Sequence, residues 1–484
     1  MTDTITPTLT ATEAAAAAGA AAPLVAATSR EERATWLEAV ATALDAAKDE
    51  LVPIAMAESH LPEARLAGEV GRTTGQLRLF AAVLRDGGYL EAIIDHAVPD
   101  ATPPQPDLRR MLVPTGPVAV YSASNFPFAF SVAGGDTASA LAAGCPVVVK
   151  AHSGHAELSR RTAAVVSSAL AAAGAPDGIF GLIEGTEAGR VLIQDPAITS
   201  GAFTGSLTGG RALFDLASGR PAPIPFYAEL GSVNPVVVTA AAVASDGEAL
   251  AAGLVGSFTL GAGQFCTKPG VVFVPEGSGF EDLVAASMGG AQAAPLLNRR
   301  IVDGFGQGID QLAGHHAVEL VAGARSAADA DAPAPLVLAT SATEVIGDPE
   351  ALLAECFGPV TLLIRYGSAE ELVAALSVVE GSLTGTIHGA DGEDVRALAD
   401  LLAPRVGRLL FGGWPTGVAV TWSQHHGGPW PATTSVHTSV GATAIRRFLR
   451  PLTFQDAPES VLPVELHESN PLGVPRRVDG VLQV

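Results

Sequence analysis

Val118-Ala-Val-Tyr121 and Pro146-Val-Val-Val-Lys150 are short apolar runs on either side of Val132–Ala143, a segment of small and apolar residues that reads as a helix. Three consecutive valines do not alternate with polar residues, so the second run predicts a strand covered on both faces. The pattern continues outward. Glu157–Ala173 reads as a helix, Ile179–Ile183 as a strand, Thr186–Gln194 as a helix and Gly201–Thr204 as extended chain. Strand–helix–strand repetition of this kind predicts a parallel sheet in a doubly wound α/β domain. Upstream, residues 11–95 read as helical, with Ser29 as a cap before Arg30 and Glu31. Downstream, a second α/β region runs from Pro235 to about 420, with candidate strands Val271–Val274, Leu336–Ala339, Val360–Tyr366 and Arg408–Phe411. Residues 96–110 are rich in Pro and Asp and leave the first layer, and the tail from Phe448 is extended.

Composition narrows the class. The 484 residues are enough for two or three domains, and 48% apolar with 16% charged residues excludes a disordered chain. A formal net charge of -22 argues against nucleic acid and anionic membrane as partners, but not against an anionic small substrate. Three cysteines, Cys145, Cys266 and Cys356, suit a reducing compartment better than a disulfide framework. Asp3 and Glu13 stand where a signal peptide would be basic, and the alanine-rich stretch 14–27 is short and weakly apolar. The expectation is a soluble cytoplasmic protein.

The chemistry centres on Thr259-Leu-Gly-Ala-Gly-Gln-Phe-Cys-Thr267. A thiolate is a strong nucleophile toward carbonyl carbon, and Gly261 and Gly263 keep bulk away from Cys266. A lone cysteine reads equally well as a buried core residue. What distinguishes Cys266 is its company.

Six motifs occur in one order: Ser124-Asn125-Phe126-Pro127, Pro146–Lys150, Phe203-Thr-Gly-Ser206, Glu229-Leu-Gly-Ser-Val-Asn-Pro235, Gly263-Gln-Phe-Cys266 and Glu355-Cys-Phe-Gly-Pro359. With them the chain resembles the aldehyde dehydrogenase family over roughly residues 30 to 475. The resemblance implies two doubly wound domains and a small β oligomerisation element. Residues 1–95 and 115–235, with a return near 426–447, would bind the cofactor. Residues 236–425 would carry the nucleophile, and 96–114 with 448–484 would assemble subunits into a homodimer or homotetramer.

It also implies roles. Cys266 would attack the aldehyde and form first a thiohemiacetal, then a thioester. The Asn125 amide and the Cys266 backbone N–H would meet the oxyanion. Glu229 would activate the hydrolytic water. Lys150, counted with the catalytic set, would also contact the cofactor, as would Gly185, Gly189, Ser206, Gly231, Glu355 and Phe357. Many NAD-preferring relatives carry a glutamate where this chain has Ser153. A hydroxyl there would tolerate a 2′-phosphate and Arg190 would attract one, so NADP is expected to be accepted at least as well as NAD; Arg211 is a second candidate.

Within the family, Leu61–Arg65, Gly71–Arg78, Ala129–Asp136 and Asn470–Gly473 are similar to α-ketoglutaric semialdehyde (2,5-dioxovalerate) dehydrogenases. Arg72 and Phe126 would line the substrate tunnel. Relatives tend to place an arginine in the loop that here reads Thr434-Ser-Val-His437, and its loss leaves other semialdehydes or aliphatic aldehydes open. No metal site is expected: His425-His426 reads as a loop turn and Cys145 and Cys356 as packing. A thiol hydrolase would need a histidine beside Cys266, and none stands in a recognisable motif. A non-catalytic member would not need Cys266, Asn125 and Glu229 together.

Overall fold

The computed structural model describes residues 9–327 and 329–484, so Asp3 and the start of the 1–95 segment lie outside it. Helices Arg30–Ala46, Lys48–Ser59 and Glu63–Asp86 pack together on one face of the first sheet, and helix Ala11–Ala26 packs against strand Phe180–Ile183 and helix Thr186–Gln194. Ser29 does cap its helix: Ser29 accepts from Glu32 N while the Glu32 side chain reaches back to the cap, a reciprocal box contributing about 1 kcal/mol. No helix among the described residues is long and apolar enough to cross a membrane.

Three sheets follow, in the α/β arrangement expected. The first has five parallel strands in the spatial order Phe180–Ile183, Val147–Lys150, Val118–Tyr121, Ser200–Thr204, Phe226–Glu229. Val147, Val148 and Val149 are almost wholly buried, as an unalternating run requires. The second has seven strands, in the order Glu319–Gly323, Leu336–Ser341, Val360–Tyr366, Val271–Pro275, Val236–Val238, Ser382–His388, Val406–Phe411. Only its Glu319–Gly323 edge pairs antiparallel. The third joins distant pieces of chain: Leu449–Gln455, Leu108–Pro114, Ala92–Asp95, Arg476–Val478 and Val481–Gln483.

Two expectations shift. Residues 92–95 do not continue the helical layer; they are the central strand of the third sheet. The helix read over Val132–Ala143 begins only at Gly135, because residues 131–134 are turns whose backbone bonds hold the preceding loop. In the first sheet the order reverses between Val118–Tyr121 and Ser200–Thr204. Ligands of open α/β sheets lie at such a switch point, outside the carboxyl ends of the strands. Asn125 follows the first of these strands and Ser206 the second.

Candidate active site

Glu229 is the last residue of the fifth strand of the first sheet, 2% exposed, and not the surface carboxylate that a glycine turn suggests. The segment after residue 425 crosses over it. Leu230 N donates to Ala432 O, Thr434 N donates to Ala228 O, and Ser439 Oγ donates to Glu229 Oε2 at 2.7 Å. The same crossing carries His426, whose Nε2 lies 2.9 Å from Glu229 Oε1 and 3.5 Å from Cys266 Sγ. His426 lies in a loop, as read, yet is 1% exposed, and it is a histidine beside Cys266 that no motif marks, delivered from 160 residues along the chain. Thiol, imidazole and carboxylate present their donor atoms within 4.8 Å of one another, a set that a metal ion could also use.

The nucleophile turn is held from several sides. Gly261, Ala262 and Gly263 all take positive φ, a backbone that favours glycine. A Cβ at Gly263 would lie 2.2 Å from Gly358 O, so this glycine serves close backbone approach to the Glu355–Pro359 loop rather than open access to sulfur. Asn234, itself at φ 50, donates from Nδ2 to Cys266 O at 2.8 Å and Lys268 O at 2.9 Å. The buried Lys268 ammonium donates to Cys356 O and Val360 O, both at 2.8 Å. Neither Asn234 nor Lys268 was singled out from the sequence, although Asn234 stands inside a motif.

Asn125 is buried and donates from Nδ2 to Gln264 O at 3.2 Å, which aims its amide at the nucleophile turn. Helix Glu63–Asp86 positions its loop. Arg65 donates to Asn125 O at 2.7 Å, and Glu69 Oε1 accepts from Phe128 N and Ala129 N. Arg72, one turn on from Glu69, places its guanidinium 5.3 Å from the Phe126 ring and 5.4 Å from the Phe130 ring, and its Nε is buried without a partner. Arg78, by contrast, pairs with Asp45 at the surface.

Charge follows geometry. Burial pushes the Cys266 thiol well above its ordinary range, the Glu229 charge adds to this, and Arg72 opposes it. Burial also works against ionised Glu229, but His426, Ser439 and Cys266 outweigh it and hold the carboxyl below its usual value. Cys145 lies wholly buried against Phe448 O, away from this chemistry, and Cys356 packs under Phe305 O. All three cysteines are free thiols.

Most of the residues expected to meet a dinucleotide line the carboxyl ends of the first sheet, and Glu355 with Phe357 comes from the loop before Val360–Tyr366 of the second. Lys150 ends its strand, half-buried, and burial lowers its ammonium. Gly189 is buried where a Cβ would meet Tyr121 at 3.1 Å and Lys150 at 3.2 Å, and Gly185 opens the same helix at φ 93. Thr204 Oγ1 ends its strand buried and unpartnered. Ser206 caps helix Leu207–Ser218, accepting from Gly209 N. A Cβ at Gly231 would fall 2.5 Å from Glu355 Oε2, so only glycine leaves that carboxylate its place; Phe357 follows, half-buried. Ser153 and Arg190 are exposed, Arg190 lying 3.8 Å from Glu187. Arg211 is a solvated helix residue paired with Asp215. Orphaned Thr204, the glycine cradles and the capped helix terminus together fit a nicotinamide dinucleotide.

The model of the aldehyde dehydrogenase family matches residues 7–449. Alpha-ketoglutaric semialdehyde dehydrogenase 2 of Azospirillum brasilense is 47% identical over 458 residues, 93% of this chain and 87% of that protein. Alpha-ketoglutaric semialdehyde dehydrogenase of Acinetobacter baylyi is 43% identical over 464 residues, 94% of this chain and 88% of that protein. Among solved structures, aldehyde dehydrogenase 21 from Physcomitrella patens, in complex with the reaction product succinate, superposes with a TM-score of 0.78 at 22% identity, covering 94% of this chain and 92% of that one. At that identity the likeness concerns the fold.

Proposed function

The chain belongs to the aldehyde dehydrogenase family and is an NAD(P)-dependent aldehyde dehydrogenase, and from that premise we propose that its substrate is α-ketoglutaric semialdehyde. The observation that carries the reading is the convergence of Cys266, Glu229 and the Asn125 loop in front of Arg72, a half-buried cation whose Nε is buried without a partner. Cys266 attacks the aldehyde carbon. Asn125 Nδ2 and the Cys266 backbone N–H receive the oxyanion, trading the ground-state bond to Gln264 O for a charged acceptor. Glu229 then takes a proton from the water that hydrolyses the Cys266 thioester. Arg72 would hold the substrate's distal carboxylate, with Phe126 and Phe130 walling its carbon chain.

Bound nicotinamide dinucleotide supplies the hydride acceptor. Lys150, Gly185, Gly189, Ser206, Gly231, Glu355 and Phe357 would hold it, and Ser153 with Arg190 would admit NADP at least as well as NAD. The third sheet, with Val481 and Leu482 exposed on its edge strand, would pair subunits into a homodimer or homotetramer. Free thiols and an acidic surface suit a cytoplasmic setting.

The test is a panel of semialdehydes and uncharged aldehydes, followed by absorbance of the reduced cofactor. α-Ketoglutaric semialdehyde is expected to have the highest kcat/KM. Arg72→Gln should raise its KM about tenfold or more while leaving the KM for pentanal unchanged, whatever the change in kcat common to both. Equal losses on both substrates would defeat the carboxylate reading.

A further inference from the structure

His426 has no part in the chemistry derived so far, yet its Nε2 touches both reacting groups: Cys266 Sγ at 3.5 Å and Glu229 Oε1 at 2.9 Å. It is fixed there. Its backbone N donates to Thr438 Oγ1 at 2.7 Å, its carbonyl accepts from Ser439 N at 2.8 Å, and its ring leans on Phe130. An unprotonated ring nitrogen and an ionised carboxylate 2.9 Å apart would be two facing acceptors; a proton must lie between them. With the ring's own proton on Nδ1, the Cys266 thiol is the neighbouring group that can supply it.

A second consideration concerns Glu229. Its Oε2 accepts from Ser439 and its Oε1 faces His426, and hydrolysis of a thioester needs this carboxylate ionised. If Glu229 took the thiol proton at the outset, it would have to release it, from a site 2% exposed, before it could act on water. A separate acceptor for the first proton removes that conflict.

We propose that His426 is a catalytic residue that accepts the Cys266 thiol proton at Nε2. The S–H bond breaks, its electron pair stays on sulfur, and an N–H bond forms at Nε2. The resulting imidazolium N–H is shared between the thiolate and the Glu229 carboxylate. No electrons leave the trio and its net charge is unchanged. Other charges bear on it: Arg72 acts on both Cys266 and Glu229, Arg408 and Glu355 act on Cys266, and His425 adjoins His426. Of these, Arg72 and Arg408 favour the thiolate and Glu355 opposes it. The inference rests on Cys266 being the nucleophile, which loss of turnover in Cys266→Ala tests separately.

The experiment is alkylation of the cofactor-free enzyme by iodoacetamide across pH, with the Cys266 peptide quantified by mass spectrometry and Cys266→Ala as the blank. His426→Gln keeps a donor of similar size but accepts no proton. Its alkylation rate at pH 7 should fall about tenfold or more, with the midpoint of the profile displaced to higher pH. Added imidazole should restore the rate in His426→Ala, which keeps the test decisive if the Gln variant folds poorly. A wild-type alkylation profile in His426→Gln, or no response of His426→Ala to imidazole while thermal melting and NADP binding stay normal, would overturn the proposal.

Discussion

The nucleophile centre and the rim of the proposed adenosine pocket are built on opposite plans. Around Cys266 several buried polar groups are held more than once: Asn234 grips two carbonyls, Glu229 has a partner for each oxygen, and Arg65 and Glu69 set the loop of Asn125. At the rim, Ser153, Gly185, Arg190 and Ser206 are exposed and lightly bonded. Substitutions in the first region should act through both chemistry and stability. Those in the second should redirect cofactor choice and leave the fold alone.

The largest effect that could break this contrast is at sulfur. Cys266→Ala should abolish turnover while cofactor binding, read by fluorescence quenching, persists; measurable steady-state oxidation would remove Cys266 from the mechanism. Next comes Glu229→Gln. Stopped-flow absorbance should show one equivalent of reduced cofactor released in a burst, followed by turnover slowed about 10²–10⁴-fold. A normal steady state would take the base role from Glu229. Because the folded Glu229 carboxyl lies below its ordinary 4.5, its linked stability is complete above that value. Acid titration should remove that stability progressively as pH falls from there through the lower folded value.

Asn234→Ala sharpens the structural half of the contrast. It strands two carbonyls of the nucleophile turn and should cost about 1–3 kcal/mol in denaturant melts, with kcat falling too. Unchanged stability would mean that the turn is held by other bonds. The smallest effects belong to the rim. Ser153→Glu should shift preference toward NAD, and Arg190→Ala should raise the NADP KM by about tenfold or less, both with wild-type melting temperatures. Equal weakening of both cofactors by Arg190→Ala would sink this reading of the pocket.

Much of the fold was legible because buried parallel strands advertise themselves as runs of apolar and β-branched residues that do not alternate with polar ones; Val147–Lys150 and Val360–Tyr366 are examples. Ser382–His388 did not, since its Ser, Thr and Gly look like loop residues although all seven are buried. Phe226–Glu229 was hidden by its shortness and by the prolines before it. The residues of the site were legible where family motifs carry them. His426 was not: no local spacing ties it to Cys266, and only the crossing of residues 426–439 over the sheet edge brings them together. Lys268 was equally silent, since a buried lysine between two carbonyls looks like any surface lysine in one dimension.

Gly263 has one further consequence. With no side chain between them, the turn bearing the sulfur and the loop bearing Glu355 meet backbone to backbone, and Lys268 ties the two again from behind. Two hard surfaces in contact transmit displacement without slack. The loop of Glu355 and the turn of Cys266 therefore share one backbone contact, and neither can shift toward the other without pushing on it.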